Sequence, residues 1–100
     1  MKKILLVCSA GMSTSLLVNK MNESAKQMGE DVQIQALAIA ECSSVINDMD
    51  IVLLGPQVRF QKPQVEKLTN GTIPVEVIDM RQYGTMNGKA ILESTLDKIR

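Results

Sequence analysis

Residues 3–17 read KILLVCSAGMSTSLL. The stretch runs from four consecutive aliphatic residues, 4–7, through Cys8 into a glycine and a cluster of hydroxyl residues, and then back to apolar residues. An unbroken apolar run of this length fits a strand covered on both faces, and the spacing beyond it is helical. The stretch therefore predicts strand, loop and helix, with Cys8 where the strand ends.

Working outward, residues 51–54 (IVLL) form a second unbroken run, while VQIQAL (32–37) and VEVI (75–78) alternate or are short, as edge strands do. Leu17, Met21, Ala25 and Met28 recur at helical spacing up to Gly29, and Leu92, Leu96 and Ile99 repeat the device near the other end. Weaker helices are expected over 42–48 and 63–68. The order β-α-β-α-β-α-β-α predicts one domain, residues 1–100. Its fold class is α/β: a three-layer sandwich with a four-stranded parallel sheet in the order 2-1-3-4 and helices on both faces. In such sheets ligands bind at the carboxyl ends of the strands, at the switch point between strands one and three. Cys8 is expected there.

Composition removes several functions. Eleven basic residues balance eleven acidic ones, and Phe60 and Tyr83 are the only aromatics, so nucleic acid is not an expected partner. No apolar run approaches the ~20 residues of a membrane span. The MKKILLV start is too short in its apolar part for a signal peptide, which implies a cytoplasmic setting with Cys8 and Cys42 reduced. The chain contains no histidine. That excludes Ser-His and Cys-His catalysis and the commonest metal ligand, and no metal or cofactor is expected.

The loop itself suits an anion. A helix start leaves about four N–H groups without intrahelical partners at the positive end of the helix dipole. Gly11 lets the preceding loop turn its amides towards one centre. Ser9, Ala10, Gly11, Met12, Ser13, Thr14 and Ser15 are the candidate phosphate-binding residues, and Cys8 is the candidate nucleophile. A free thiol near pKa 8.5 is only a few per cent ionised at neutral pH, and a helix N-terminus lowers that value. One alternative is a low-molecular-weight phosphatase or arsenate reductase, which uses C-x5-R. Here Thr14 occupies the arginine position, and two cysteines fall short of a three-thiol relay. Another is a non-enzymatic anion-binding module. No GxGxxG or Walker A loop is present.

CSAGMSTSLLV, together with LLGPQV (53–58) and VIDMRQYG (77–84), resembles the enzyme IIB component of the bacterial phosphotransferase system, in its lactose/cellobiose (diacetylchitobiose) family. The resemblance implies a fold like that of low-molecular-weight tyrosine phosphatases. It further implies that Cys8 accepts phosphate from a phosphohistidine of a IIA component and passes it to a sugar held by the membrane component IIC. No cofactor is implied. Arg59 and Tyr83, on segments following strands three and four, are secondary candidates at the same rim. Cys42 is expected to be structural, Met12 to offer an adaptable partner contact, and the chain to be a monomer.

Overall fold

The structure, a computed structural model, describes residues 1–8 and 11–99, including all of their side chains except those at 8 and 11–14. Four parallel strands, β1 (Lys2–Cys8), β2 (Val32–Ala38), β3 (Ile51–Leu54) and β4 (Val75–Val77), lie in the order β2-β1-β3-β4. This is the predicted topology, and its cause is visible in the core. Ile4, Leu6, Ile51 and Leu53 pack against Leu17 and Met21 of α1 (Gly11–Met28) and Leu92 and Leu96 of α4 (Gly88–Ile99). Leu5, Val7, Val52 and Leu54 face the opposite layer, where Cys42, Ile46, Val58 and Val65 meet them. Successive strand residues point to opposite faces, so a run that is apolar at every position feeds both layers. Each fully buried aliphatic side chain contributes about 1.5–3 kcal/mol.

The edge strands differ in detail from expectation. In β2 only Gln33 is exposed, and Gln35 is half-buried. β4 shortens to three residues. The helix expected over 42–48 is two 3-10 segments, Ile39–Ser44 and Ile46–Asp48, separated by Val45 at φ −122°. Hydroxyl and carboxylate side chains there compete for the backbone; the Ser44 hydroxyl, for one, donates to the Glu41 carbonyl at 3.1 Å. Cys42 and Ile46 are still both brought into the core. After β3 the chain makes a further 3-10 segment, Pro56–Gln61, before α2 (Lys62–Thr69), which stops at Asn70 in the left-handed region.

α3 (Met80–Gly84) follows β4 almost directly. Its start is fixed by Asp79, whose carboxylate accepts from the Gln82 N–H at 3.0 Å, a cap worth about 1 kcal/mol. α4 opens with Gly88 pressed against α1. A Cβ there would lie 2.8 Å from both the Lys20 carbonyl carbon and the Met21 nitrogen.

Candidate phosphoryl-transfer site

Cys8 is the last residue of β1, one of the two central strands, and α1 begins three positions later at Gly11. Register fixes what stands beside it. Val7 pairs with Leu54, and the Gly55 N–H donates to the Val7 carbonyl at 2.9 Å, so the chain leaving β3 starts alongside Cys8. On the other side Cys8 pairs with Ala38 of β2. The first turn of α1 carries no acidic residue, so nothing there neutralises the positive end of an 18-residue helix. Of the predicted loop, Ser15 is exposed on α1. Ser9 and Ala10, together with the side chains of Cys8, Gly11, Met12, Ser13 and Thr14, lie outside the described residues.

The secondary candidates sit on the same rim in different ways. Arg59 is exposed and turns back on its own segment, Nη1 donating to the Pro56 carbonyl at 3.3 Å. Tyr83 is half-buried against the layer of α1 and α4, and its phenol oxygen accepts from Gln57 Nε2 at 3.3 Å. Gln57 was not singled out by sequence reasoning. Its partner is 26 positions away, and only the parallel topology brings the two together.

Among the described residues, three large apolar side chains are exposed on the segments that follow strands: Leu16 on α1, Phe60 after β3 and Met80 after β4, at 51%, 72% and 64%. Each follows a different strand out of the carboxyl edge.

Cys42, in contrast, is fully buried and its thiol donates to the Ile39 carbonyl at 3.1 Å. Burial pushes this thiol up from its ordinary value, with a backbone hydrogen bond opposing in part. The folded state therefore holds the Cys42 proton more tightly than the unfolded chain does. That contribution is complete below the unfolded pKa near 8.5 and is lost as pH rises through the higher folded value. The stability gap between wild type and Cys42→Ala in denaturant melts is thus expected to narrow above about pH 9. A gap independent of pH would contradict the burial account.

Among the described residues, no group of three Cys, Asp or Glu side chains could hold a metal ion, and no helix is long and apolar enough to cross a membrane.

Residues 3–94 match the model of the family described as "PTS system, Lactose/Cellobiose specific IIB subunit". The chain is 47% identical over 97 residues to the oligo-beta-mannoside-specific EIIB component of Bacillus subtilis (strain 168), covering 96% of this chain and 94% of that protein. It is 42% identical over 97 residues to the cellobiose-specific EIIB component of Lactococcus lactis subsp. lactis (strain IL1403), covering 91% and 90%. Sixty-seven residues are 30% identical to part of the lactose-specific EIICB component of Lacticaseibacillus casei, 67% of this chain but 12% of that longer protein. In three dimensions the lactose-specific IIB domain of Streptococcus pneumoniae superposes with a TM-score of 0.88 over 99% of this chain and 98% of that one, at 20% identity, which shows a shared fold. With a cysteine closing a central strand ahead of a long helix, in a four-stranded sheet like that of low-molecular-weight tyrosine phosphatases, the chain belongs to the lactose/cellobiose-specific IIB subunits of the phosphotransferase system, which are phosphotransferase domains.

Proposed function

We infer that this chain is a cytoplasmic phosphoryl carrier in which Cys8 takes a phosphoryl group from a phosphohistidine of a IIA component and delivers it to a sugar of the cellobiose, chitobiose or lactose class bound by a membrane IIC component. The observation that carries this is the position of Cys8, at the end of a central strand and three residues ahead of α1. In the first step the thiolate sulfur attacks phosphorus, the S–P bond forms, and the P–N bond to the donor imidazole breaks with its electron pair returning to nitrogen. In the second a sugar hydroxyl oxygen attacks phosphorus, the S–P bond breaks, thiolate leaves, and the hydroxyl proton passes to a base outside this chain. Both steps need in-line placement and donors around the equatorial oxygens. The amides of residues 10–15 are assigned that task, and the helix field favours the anion at each stage.

Two further observations support the assignment. A chain without histidine can pass phosphate between a histidine and a sugar when both belong to its partners. Leu16, Phe60 and Met80 are exposed on the segments that follow β1, β3 and β4, and exposed apolar side chains suit contact with a protein partner. The fused EIICB relative supports the IIC component as one of those partners. A monomer suits a carrier that visits both in turn.

Intact-mass measurement tests the proposal. With phosphoenolpyruvate and the upstream carriers, one phosphate is expected on Cys8, and it should be discharged on adding IIC membranes and the cognate sugar. Steady hydrolysis of an aryl phosphate by the chain alone would point to a phosphatase instead.

A further inference from the structure

We propose that Asn70–Gly71 is a site of spontaneous covalent modification, where the asparagine cyclises and reopens as aspartate or isoaspartate, and that the fold withholds Asn87–Gly88 from the same reaction. Asparagine precedes glycine at these two places in the chain. The Gly71 nitrogen, on losing its proton to solvent base, attacks the Asn70 carboxamide carbon. The new N–C bond forms, the bond to the side-chain nitrogen breaks, and ammonia leaves with a proton from water. Water then adds to either carbonyl of the succinimide. Cleavage at the side-chain carbonyl gives aspartate; cleavage at the main-chain carbonyl gives isoaspartate, with the chain running through the side chain. Water is the sole co-reactant, and glycine presents no Cβ to obstruct the approach.

The two sites differ in what ring closure has to break. Asn70 and Gly71 are exposed just past the end of α2, both in the left-handed region at φ 54° and 72°. A Cβ at Gly71 would meet nothing within 4 Å. The Gly71 N–H donates to the Thr69 hydroxyl at 3.3 Å and the Asn70 N–H to the Lys67 carbonyl at 3.2 Å. Among the described residues, the Asn70 carboxamide has no hydrogen-bond partner. Turning the peptide between the two residues therefore gives up long hydrogen bonds in an exposed turn, an opening at the low end of local stability. At the second site Asn87 Oδ1 accepts from the Ala90 N–H at 3.1 Å, and the Asn87 carbonyl accepts from the Ile91 N–H at 3.1 Å. Gly88 is buried, with room for no Cβ against Lys20 and Met21. Ring closure there has to surrender the cap of α4 and lift its first turn from α1.

The products change the turn at Asn70. A carboxylate adds negative charge at the C-terminal end of α2, where the helix dipole opposes it. Isoaspartate also lengthens the main chain inside a turn that Thr72 closes, its N–H and hydroxyl both donating to the Thr69 carbonyl at 3.1 and 2.7 Å. β4 follows at once, with the Pro74 carbonyl already accepting from the Val52 N–H at 3.0 Å. Modification thus loosens the join between α2 and β4.

The test holds the full chain folded at mildly alkaline pH and follows both asparagines with time. Trypsin, used at slightly acidic pH, places Asn70 and Asn87 in separate peptides, 68–81 and 82–89. Mass spectrometry then reads the conversion of carboxamide to carboxyl in each. Asn70 is expected to convert at least about tenfold faster than Asn87, the ratio equivalent to about 1.4 kcal/mol between the two opening costs. In guanidinium chloride, with the fold removed, the two should convert at similar rates. Equal rates in the folded chain, or protection of both there, would overturn the proposal. A gap that persists unchanged in guanidinium chloride assigns the difference to neighbouring side chains, and overturns it equally. Asn70→Gly supplies a second arm, because glycine suits a helix end in the left-handed region and keeps the fold. Aged wild type should melt below fresh wild type, while Asn70→Gly aged alike keeps its melting temperature. Converted wild type that melts with the fresh chain overturns the role given to the turn.

Discussion

A Cys8→Ser chain given phosphoenolpyruvate and the upstream carriers should transfer phosphate roughly a thousandfold more slowly than wild type, or not measurably. The substitution keeps a small side chain with one heteroatom at the same position, so the comparison isolates nucleophilicity. A thiol about 1.5 units from ionisation can be drawn into its anion by a helix terminus and a few charge-assisted hydrogen bonds, each contributing about 1.5–3 kcal/mol. A hydroxyl starts much further from ionisation, and the chain has no histidine to act as base. Loss of a nucleophile in other enzymes costs up to about a millionfold, which brackets the expectation. Melting temperature measured on the same sample separates lost chemistry from lost fold. A folded Cys8→Ser chain that accepts phosphate at the wild-type rate would remove Cys8 from the mechanism. Thiol alkylation gives a second view of the same difference: Cys42 is fully buried, so rapid labelling of the native chain should fall on Cys8.

Gly88→Ala should destabilise the fold although it adds a single methyl group. Two opposing effects act at that position. Alanine is the better helix former, by up to about 1 kcal/mol in a helix interior, and less at the first residue of α4. Against this, the new methyl would sit 2.8 Å from two main-chain atoms of α1 and 2.9 Å from Lys20 Cβ. Main-chain atoms cannot rotate away, so α1 and α4 must separate, and overpacking of this kind costs about 1–3 kcal/mol or more. The steric cost prevails. A net loss of about 2 kcal/mol corresponds to a melting-temperature drop of roughly 8–16 °C in a domain of this size. Gly84→Ala is the natural control. A Cβ there meets no atom within 4 Å, so the melting temperature should stay level or rise slightly. If both variants melt together, the close crossing of α1 and α4 is not what glycine at 88 provides.

The order of the strands was legible because residues 4–7 and 51–54 have no polar position to turn towards water, which forces both runs to the centre of the sheet. α1 and α4 were legible from apolar spacing that survives as buried Leu17, Met21, Leu92 and Leu96. The stretch from Ile39 to Asp48 was not. Cys42 and Ile46 are spaced as on a helix and both are buried, but the intervening serines and Val45 divert the backbone into two shorter turns. α3 was also missed, since five residues give too little period to recognise. At the site, the strand end, the cysteine and the helix start could be placed from sequence alone. The Gln57–Tyr83 bridge could not: it depends on how two loops of different length fold over one strand.

β2 contains seven residues with neither charge nor proline, and as a terminal strand of the sheet it leaves one row of peptide groups without a neighbour. Uncharged segments of high strand propensity are the ones that stack into cross-β fibrils once released. In the native chain α1 covers part of this strand, since Val32, Ile34 and Ala36 pack into the same cluster as Leu17 and Met21. That face is thereby withheld from a second chain, while the outer margin of β2 remains a terminal edge of the sheet. A lysine placed on that outer margin would act as a gatekeeper against self-templating.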